Sequence, residues 1–408
     1  MNYGLIGEKL GHSFSKPIHE SIADYNYEIK EIARDDLDSF MKAKNFSCIN
    51  VTIPYKERVI PYLYYIDGHA KTIGAVNTIV NREGKLYGYN TDFGGLKMLI
   101  EKQGFDYKNK KVVILGSGGT SKTANAVATY LGAKEIITVS RRGKVNYENL
   151  LSLHGDCDYI INTTPCGMYP DTDEAAVDVS LFSNLKGVTD VVYNPLKTKL
   201  CLDCEKKGIP CECGLYMLVS QAVLAVEIFT DKSLDREKTA EKIYRKLLSE
   251  KRNIVLIGMP GSGKSTIGKA LSEALSKEFV DTDDIIVSEH GVISDIFESK
   301  GEKYFRDLEA VAVKSVALKN NLVIATGGGA VLRGENVDYL KANGFVVFLD
   351  RPLEDIMPTD DRPLSRDFEA LKKRYEERYD IYLSSCHIKI DVDGKVEHSV
   401  GKILEAIK

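Results

Sequence analysis

Residues 112–123 read VVILGSGGTSKT, and residues 254–266 read IVLIGMPGSGKST. Each is an apolar, β-branched run that ends in glycines and passes into a helical stretch, the arrangement in which a strand delivers a phosphate group to a helix N-terminus. Apolar strand, loop and helix alternate around both stretches, which predicts an α/β protein with parallel strands joined by crossover helices. No period of twenty to fifty residues repeats, so the two loops are not a duplication.

The second loop meets every requirement of a triphosphate site: Gly258, four residues, then Gly263, Lys264 and Ser265. Glycines let the backbone N–H groups of Gly261, Ser262, Gly263 and Thr266 turn toward phosphate oxygens, and Lys264 reaches the β and γ phosphates of ATP. The Ser265 hydroxyl and Asp281, at the end of the next strand in FVDTDD (279–284), are the expected Mg2+ ligands. Asp283, read as lying two residues further along that strand on the same side, is placed to meet a substrate hydroxyl.

The first loop nearly matches this spacing but places Ser121 where glycine must precede the lysine, and the following strand ends in TVSRR (138–142) with no aspartate. Gly116, Gly118 and Gly119 suit the tight turn and close pyrophosphate approach of a dinucleotide site, with Ser117 and Thr120 leading into a helix over 120–131. Ser140, Arg141 and Arg142 stand where NAD binders carry an acid, and these polar and cationic groups fit the 2′-phosphate of NADP(H). Lys122 then reads as an ordinary first-turn residue.

With 408 residues, 43% hydrophobic and 28% charged, the chain has room for two or three globular domains. A net charge of −4 gives no basis for nucleic acid or membrane-surface binding, so small molecules are the expected partners, with the oligomeric state left open. The N-terminus lacks the basic start and long apolar run of a secretory signal, and a cytoplasmic enzyme is expected. Cys201, Cys204, Cys211 and Cys213 cluster with spacing unlike a zinc knuckle, and are read as reduced, partly buried thiols. Residues 232–253, dense in charge with Ile243, Leu247 and Leu248 at helical spacing, read as a helical connector.

Further motifs surround the second loop: FRDLE with Arg306, TGGGAV (326–331) with Gly328, DDRPL with Arg362 and ERYDIY with Arg378. In this order, residues 253–408 resemble shikimate kinase. The resemblance implies that Arg306 and Arg378 grip the shikimate carboxylate, that Gly328 offers a backbone N–H, that Asp283 accepts the proton of the 3-hydroxyl, and that Arg362 closes over ATP on a lid. Arginine forks suit a carboxylate because they bind it bidentately. The sequence departs from the resemblance at LEDIMPTDDRPL (353–364), which lacks the Arg-Thr pair whose arginine stacks on adenine in the family.

Upstream, GHSFSKPIH supplies Ser13 and Ser15, NVTIPYK supplies Asn50, Thr52 and Lys56, GAVNT supplies Asn77 and YNTDFGG supplies Asp92. With NTTPCGM (162–168), DVVYNPLKT (190–198) and GLYMLVSQA (214–222), these resemble shikimate dehydrogenase across residues 1 to about 232. The resemblance implies Lys56 and Asp92 as the catalytic pair, with Ser13, Ser15, Asn50, Thr52, Asn77, Tyr193 and Gln221 around the substrate. Val191 and Gly214 would meet the nicotinamide. A lysine balanced by an aspartate can protonate the alkoxide formed when a ketone accepts hydride. The bland alternatives are an exposed turn for Lys56 and a helix N-cap for Asp92. Tyr216 stands where the family often has glycine, which suggests a narrower nicotinamide pocket. His12 and His19 read as local structure.

The expected architecture is a two-domain dehydrogenase, with 1–95 plus 213–235 binding substrate and a Rossmann domain over 96–212, then a connector over 236–252 and a P-loop kinase domain over 253–408. Both halves point to one molecule. The implied activity is NADPH-dependent reduction of 3-dehydroshikimate to shikimate, then ATP- and Mg2+-dependent phosphorylation to shikimate 3-phosphate. The alternatives are a quinate/shikimate dehydrogenase, and a kinase-like part that senses nucleotide or shikimate.

Overall fold

The computed structural model describes residues 1–11, 14–356 and 368–407. The chain divides into two compact units, Met1–Lys246 and Leu247–Lys408, and it is α/β with three sheets.

The first sheet contains β1 (Tyr3–Gly7), β2 (Tyr27–Glu31), β3 (Cys48–Val51), β4 (Tyr65–Ile66), β5 (Thr78–Arg82) and β6 (Lys85–Tyr89), in the order β2-β1-β3-β5-β6-β4. β1 runs parallel to β2 and β3, whereas β5 is antiparallel to both β3 and β6. The second sheet is wholly parallel, with β7 (Lys111–Leu115), β8 (Glu135–Val139), β9 (Tyr159–Asn162), β10 (Gly187–Asp190) and β11 (Cys211–Glu212) in the order β11-β10-β9-β7-β8. Its central strands are buried on both faces, which explains their unbroken apolar sequence.

In the second unit the parallel sheet has β12 (Asn253–Ile257), β13 (Glu278–Asp281), β14 (Leu322–Ala325), β15 (Gly344–Asp350) and β16 (Ile388–Asp391) in the order β13-β14-β12-β15-β16. Val255, Ile257, Ile324 and Phe348 form its buried core on one face. The helix Arg236–Lys251 precedes it, with Ala240, Ile243 and Leu247 buried at helical spacing. Among the described residues no helix is long and apolar enough to cross a membrane.

The cysteine expectation is corrected by the structure. Cys201 and Cys211 form a disulfide, whereas Cys204 and Cys213 are buried free thiols. Spacing along the sequence did not reveal this, because Cys201 lies on the helix Lys199–Lys206 and Cys211 on β11, which pack together only after the crossover to the sheet closes.

His19 is local structure, as read, but with a consequence for pH. It is fully buried, its Nδ1 shares a hydrogen bond with the Tyr25 hydroxyl at 2.8 Å, and its ring stacks on Tyr27 at 4.1 Å. Burial lowers its pKa from 6.5 to about 3. The unfolded chain therefore binds this proton at a pH where the folded chain does not, and stability falls as pH drops below the unfolded value. Going from about pH 7 to about pH 5 is expected to remove about 2 kcal/mol through this group. Urea unfolding of His19→Phe should show a correspondingly weaker pH dependence than the unsubstituted chain, and an identical dependence would refute the assignment.

Candidate active sites

A cleft of about 490 Å³ in the first unit is lined by Ser15, Asn50, Thr52, Lys56, Asn77, Asp92, Thr120, Val191, Tyr193, Gly214 and Gln221, among others. Lys56 Nζ donates to Asp92 Oδ2 at 2.5 Å, and both side chains are only partly exposed. Lys56 sits in the turn after β3, where its carbonyl accepts from Val76 N at 2.8 Å. Asp92 lies in the first turn of the helix Thr91–Lys102. The cap of that helix is Asn90, whose side chain accepts from Phe93 N, so Asp92 is not the N-cap and its carboxylate is left to Lys56.

The neighbouring polar groups are organised from below. Asn50 donates to the Asn77 carbonyl and to Thr78 Oγ1, and accepts from the Tyr27 hydroxyl at 2.7 Å. Asn77 Oδ1 accepts from Thr91 N at 2.7 Å and its Nδ2 donates to Thr91 Oγ1 at 3.0 Å. This network ties β3, β5 and the Asp92 helix together, and a fully satisfied buried network of this kind rigidifies what it supports. Tyr27, Thr78 and Thr91 were not legible as site residues, because a buried polar partner leaves no periodic mark on a sequence.

Val191 and Gly214 approach the cleft on adjoining segments. Gly214 N donates to the Val192 carbonyl at 2.7 Å, and a Cβ at Gly214 would stand 2.1 Å from the Val191 carbonyl oxygen, so no larger residue fits. Tyr216, expected to narrow this pocket, does not line it. Its ring is buried against Tyr244 at 5.5 Å and beneath the Lys102 ammonium.

The glycine loop behaves as a strand-to-helix turn. β7 and β8 are parallel neighbours with Leu115 opposite Val139, so Gly116 and Ser117 emerge beside Ser140, Arg141 and Arg142. Both arginines are exposed. The helix begins at Gly119, one residue before Thr120, with Gly118 as its cap, and Ser121 is an ordinary buried helical residue. Lys122 is paired with Glu57 at 2.7 Å. Ser117 faces a separate groove together with Lys122 and Tyr130. Ser13 lies outside the described residues.

The second cleft, about 630 Å³, is lined by Gly261, Gly263, Lys264, Ser265, Thr266, Asp281, Asp283, Arg306, Gly328 and Arg378. Ser262 is buried under the loop. Lys264 Nζ donates to the carbonyls of Gly258 and Met259 at 3.0 and 2.9 Å. Ser265 Oγ donates to Asp281 Oδ2 at 2.7 Å, which brings together two hard oxygen ligands of the kind Mg2+ takes. Asp283 is not on the strand. β13 stops at Asp281, which caps the next helix by accepting from Asp283 N at 3.0 Å, so the two carboxylates share the cleft through cap geometry and not through strand alternation.

Asp283 Oδ1 is buried without a partner among the described residues. Burial, reinforced by the Asp281 and Glu309 carboxylates, pushes its pKa up to about 6. A Cβ at Gly327 would sit 2.7 Å from Asp283 Oδ1, and one at Gly329 would sit 2.1 Å from Arg306, so the triple-glycine turn is where these two side chains crowd the backbone. Arg306 is held by Glu309 at 2.8 Å and Glu302 at 3.1 Å. The carbonyl of Gly328 is engaged within the chain, accepting from Arg378 at 3.1 Å and from the Tyr382 hydroxyl.

Two cleft residues were missed. Glu309, 1% exposed, orients Arg306 from three residues on in FRDLE, a spacing that could have been noticed. Arg351 follows β15, whose Phe348 lies opposite Ile257 just before the phosphate loop. It lines the cleft, and its Nε is buried with no partner among the described residues. Arg362 lies outside the described residues.

The family model for the shikimate dehydrogenase substrate-binding domain matches residues 5–79, and that for shikimate kinase matches residues 260–408. An NADP(+) shikimate dehydrogenase of Clostridium perfringens is 38% identical over 266 residues, covering 60% of this chain and 97% of that protein. The structure of shikimate dehydrogenase 1 from Peptoclostridium difficile is 37% identical with a TM-score of 0.56, covering 60% of this chain and 98% of that one. A quinate dehydrogenase from Corynebacterium glutamicum, in complex with NAD, is 27% identical with a TM-score of 0.55, covering 60% and 98%. The chain therefore belongs to the shikimate dehydrogenase family and carries a shikimate kinase domain in the same polypeptide, an oxidoreductase and a phosphotransferase in one enzyme.

Proposed function

We propose that the first unit reduces 3-dehydroshikimate with NADPH and that the second phosphorylates the resulting shikimate with ATP and Mg2+. The observation that carries the reading is that each cleft gathers groups suited to its step: the Lys56–Asp92 pair beside Val191 and Gly214 in one, and the phosphate loop with Asp281, Asp283, Arg306 and Arg378 in the other. A cytoplasmic location is part of this reading.

In the first cleft NADPH supplies the hydride. Lys56 protonates the oxygen as negative charge develops there, and Asp92 keeps the ammonium charged and aimed. Ser15, Thr52, Asn77, Tyr193 and Gln221 hold the hydroxylated ring and its carboxylate, with Asn50 bracing Asn77 from behind. Thr120 and the glycines Gly116, Gly118 and Gly119 accommodate the pyrophosphate, with Ser140, Arg141 and Arg142 toward the 2′-phosphate.

In the second cleft Ser265 and Asp281 would hold Mg2+, which would supply positive charge to the phosphates when bound. Arg306 and Arg378 clamp the shikimate carboxylate, and Asp283 takes the proton of the attacking hydroxyl. The charged clamp favours an acid over a neutral polyol. ADP release on addition of shikimate supports this reading against the sensor alternative, which requires nucleotide binding without turnover. Quinate remains the specific second reading for the first unit, and relative kcat/KM on quinate and shikimate decides it.

Arg351 offers the nucleotide a cation in a stretch that lacks the family's adenine-stacking arginine. Arg351→Ala is expected to raise KM for ATP about tenfold, the loss of one charge-assisted hydrogen bond, while KM for shikimate holds. Equal KM values for ATP would remove Arg351 from the nucleotide site.

A further inference from the structure

Three cysteine sulfurs meet beside the end of the first cleft formed by Val191 and Gly214. Cys201 is bonded to Cys211, and Cys213 Sγ lies 3.2 Å from Cys201 Sγ. Cys213 is buried, and the disulfide spans a separation of 10 residues. A third sulfur in contact with one of the bonded pair is the arrangement through which disulfides migrate.

The surroundings supply a proton acceptor. Thr198 Oγ1 stands 3.8 Å from Cys213 Sγ, donates to Asp190 Oδ2 at 2.7 Å and accepts from Cys201 N at 3.3 Å, which leaves one lone pair for the Cys213 thiol. Asp190 is fully buried at the end of β10 and is also held by Asn162. Burial keeps Cys213 protonated, so exchange needs this acceptor, and Asp190, pushed up to about 6 by burial, is still a carboxylate at neutral pH.

We propose that Cys201, Cys211 and Cys213 form an internal thiol–disulfide exchange site, and that moving the crosslink from Cys201–Cys211 to Cys201–Cys213 weakens cofactor binding in the adjoining cleft. The Cys213 sulfur attacks Cys201 Sγ, and the new S–S bond forms as the Cys201–Cys211 bond breaks with its electron pair on Cys211. Cys213 gives up one proton through the Thr198 hydroxyl to Asp190, and Cys211 takes one proton back, so no outside oxidant is consumed. The coupling is structural. Cys213 precedes Gly214, whose N–H holds the Val192 carbonyl and whose α-carbon leaves no room against Val191, so displacement of residue 213 reaches both cleft residues.

Asp190, Cys201 and Cys213 also place ligand atoms within 4.8 Å of one another. The disulfide occupies Cys201, however, and removes the thiolate pair that a zinc ion would take there.

The coupling rests on the NADPH reading of the first cleft, and the test separates the two. Cys213→Ser permits only the Cys201–Cys211 bond, and Cys211→Ser permits only Cys201–Cys213. After equilibration with glutathione disulfide, Cys211→Ser is expected to show a KM for NADPH about fivefold above that of Cys213→Ser, within the usual range of coupling between sites. Tris(2-carboxyethyl)phosphine should abolish the difference, phosphorylation should be equal throughout, and non-reducing peptide maps of the unsubstituted chain should show both crosslinks. Equal KM values in the two oxidised variants, a Cys201–Cys211 crosslink alone in the map, or one equivalent of zinc held by these groups would each overturn the proposal. Absence of NADPH turnover in the unsubstituted chain would instead overturn the cofactor reading and with it the coupling, and the peptide map would still decide the exchange.

Discussion

Lys56→Ala is expected to lower NADPH oxidation with 3-dehydroshikimate by about 10²- to 10⁴-fold, the range for removing a positioned general acid. The 2.5 Å contact with Asp92 makes the pair a single device: the carboxylate aims the ammonium, and the ammonium meets the oxygen on which charge develops. The loss should fall on kcat far more than on KM, because Ser15, Thr52, Asn77 and Gln221 still line the cleft. Lys56 is partly exposed at a turn, so truncation opens no core cavity, and shikimate phosphorylation by the same chain should be unchanged. A variant that kept its kcat would show that another group delivers the proton.

Lys264→Ala is expected to lower shikimate phosphorylation by about 10²- to 10³-fold, the loss of one preorganised donor to a developing anion. The lysine is 8% exposed and turned onto the Gly258 and Met259 carbonyls, ready to exchange those bonds for phosphate oxygens. Lys264→Met keeps most of the side-chain volume without the charge. An equal loss in both variants separates the charge from any collapse of the loop, while NADPH oxidation reports that the rest of the chain is intact. Phosphorylation surviving in Lys264→Met would mean that the loop does not hold the transferred group.

The parts that were legible from sequence are those where chemistry leaves no choice of residue. A backbone that cradles a triphosphate needs glycine, lysine and a hydroxyl at set intervals, so GMPGSGKST could be read directly, and Ser121 excluded VVILGSGGTSKT from the same role. The parallel strands β7 and β12 were legible because burial on both faces makes them unbroken apolar runs. β2 was not, since four of its five residues are exposed, and the two-residue β4 carries no pattern at all. Asp283 was found for an incorrect reason: the strand ends sooner than alternation assumes, and a helix cap turns the residue inward. The groups that orient cleft side chains, Thr91 behind Asn77 and Glu309 behind Arg306, are single polar side chains that only the folded chain brings into line. The disulfide was missed for the same reason, since one half lies on a helix and the other on a neighbouring strand.

The most direct measurement follows NADPH oxidation and ADP release together when the purified chain is given 3-dehydroshikimate, NADPH, ATP and Mg2+. The account predicts that ADP appears only after NADPH consumption begins and that shikimate 3-phosphate accumulates. It also predicts that Lys56→Ala suppresses both signals, that added shikimate then restores ADP release but not NADPH oxidation, and that Lys264→Ala suppresses ADP release alone. NADPH oxidation with no ADP release, even with shikimate present, would contradict it.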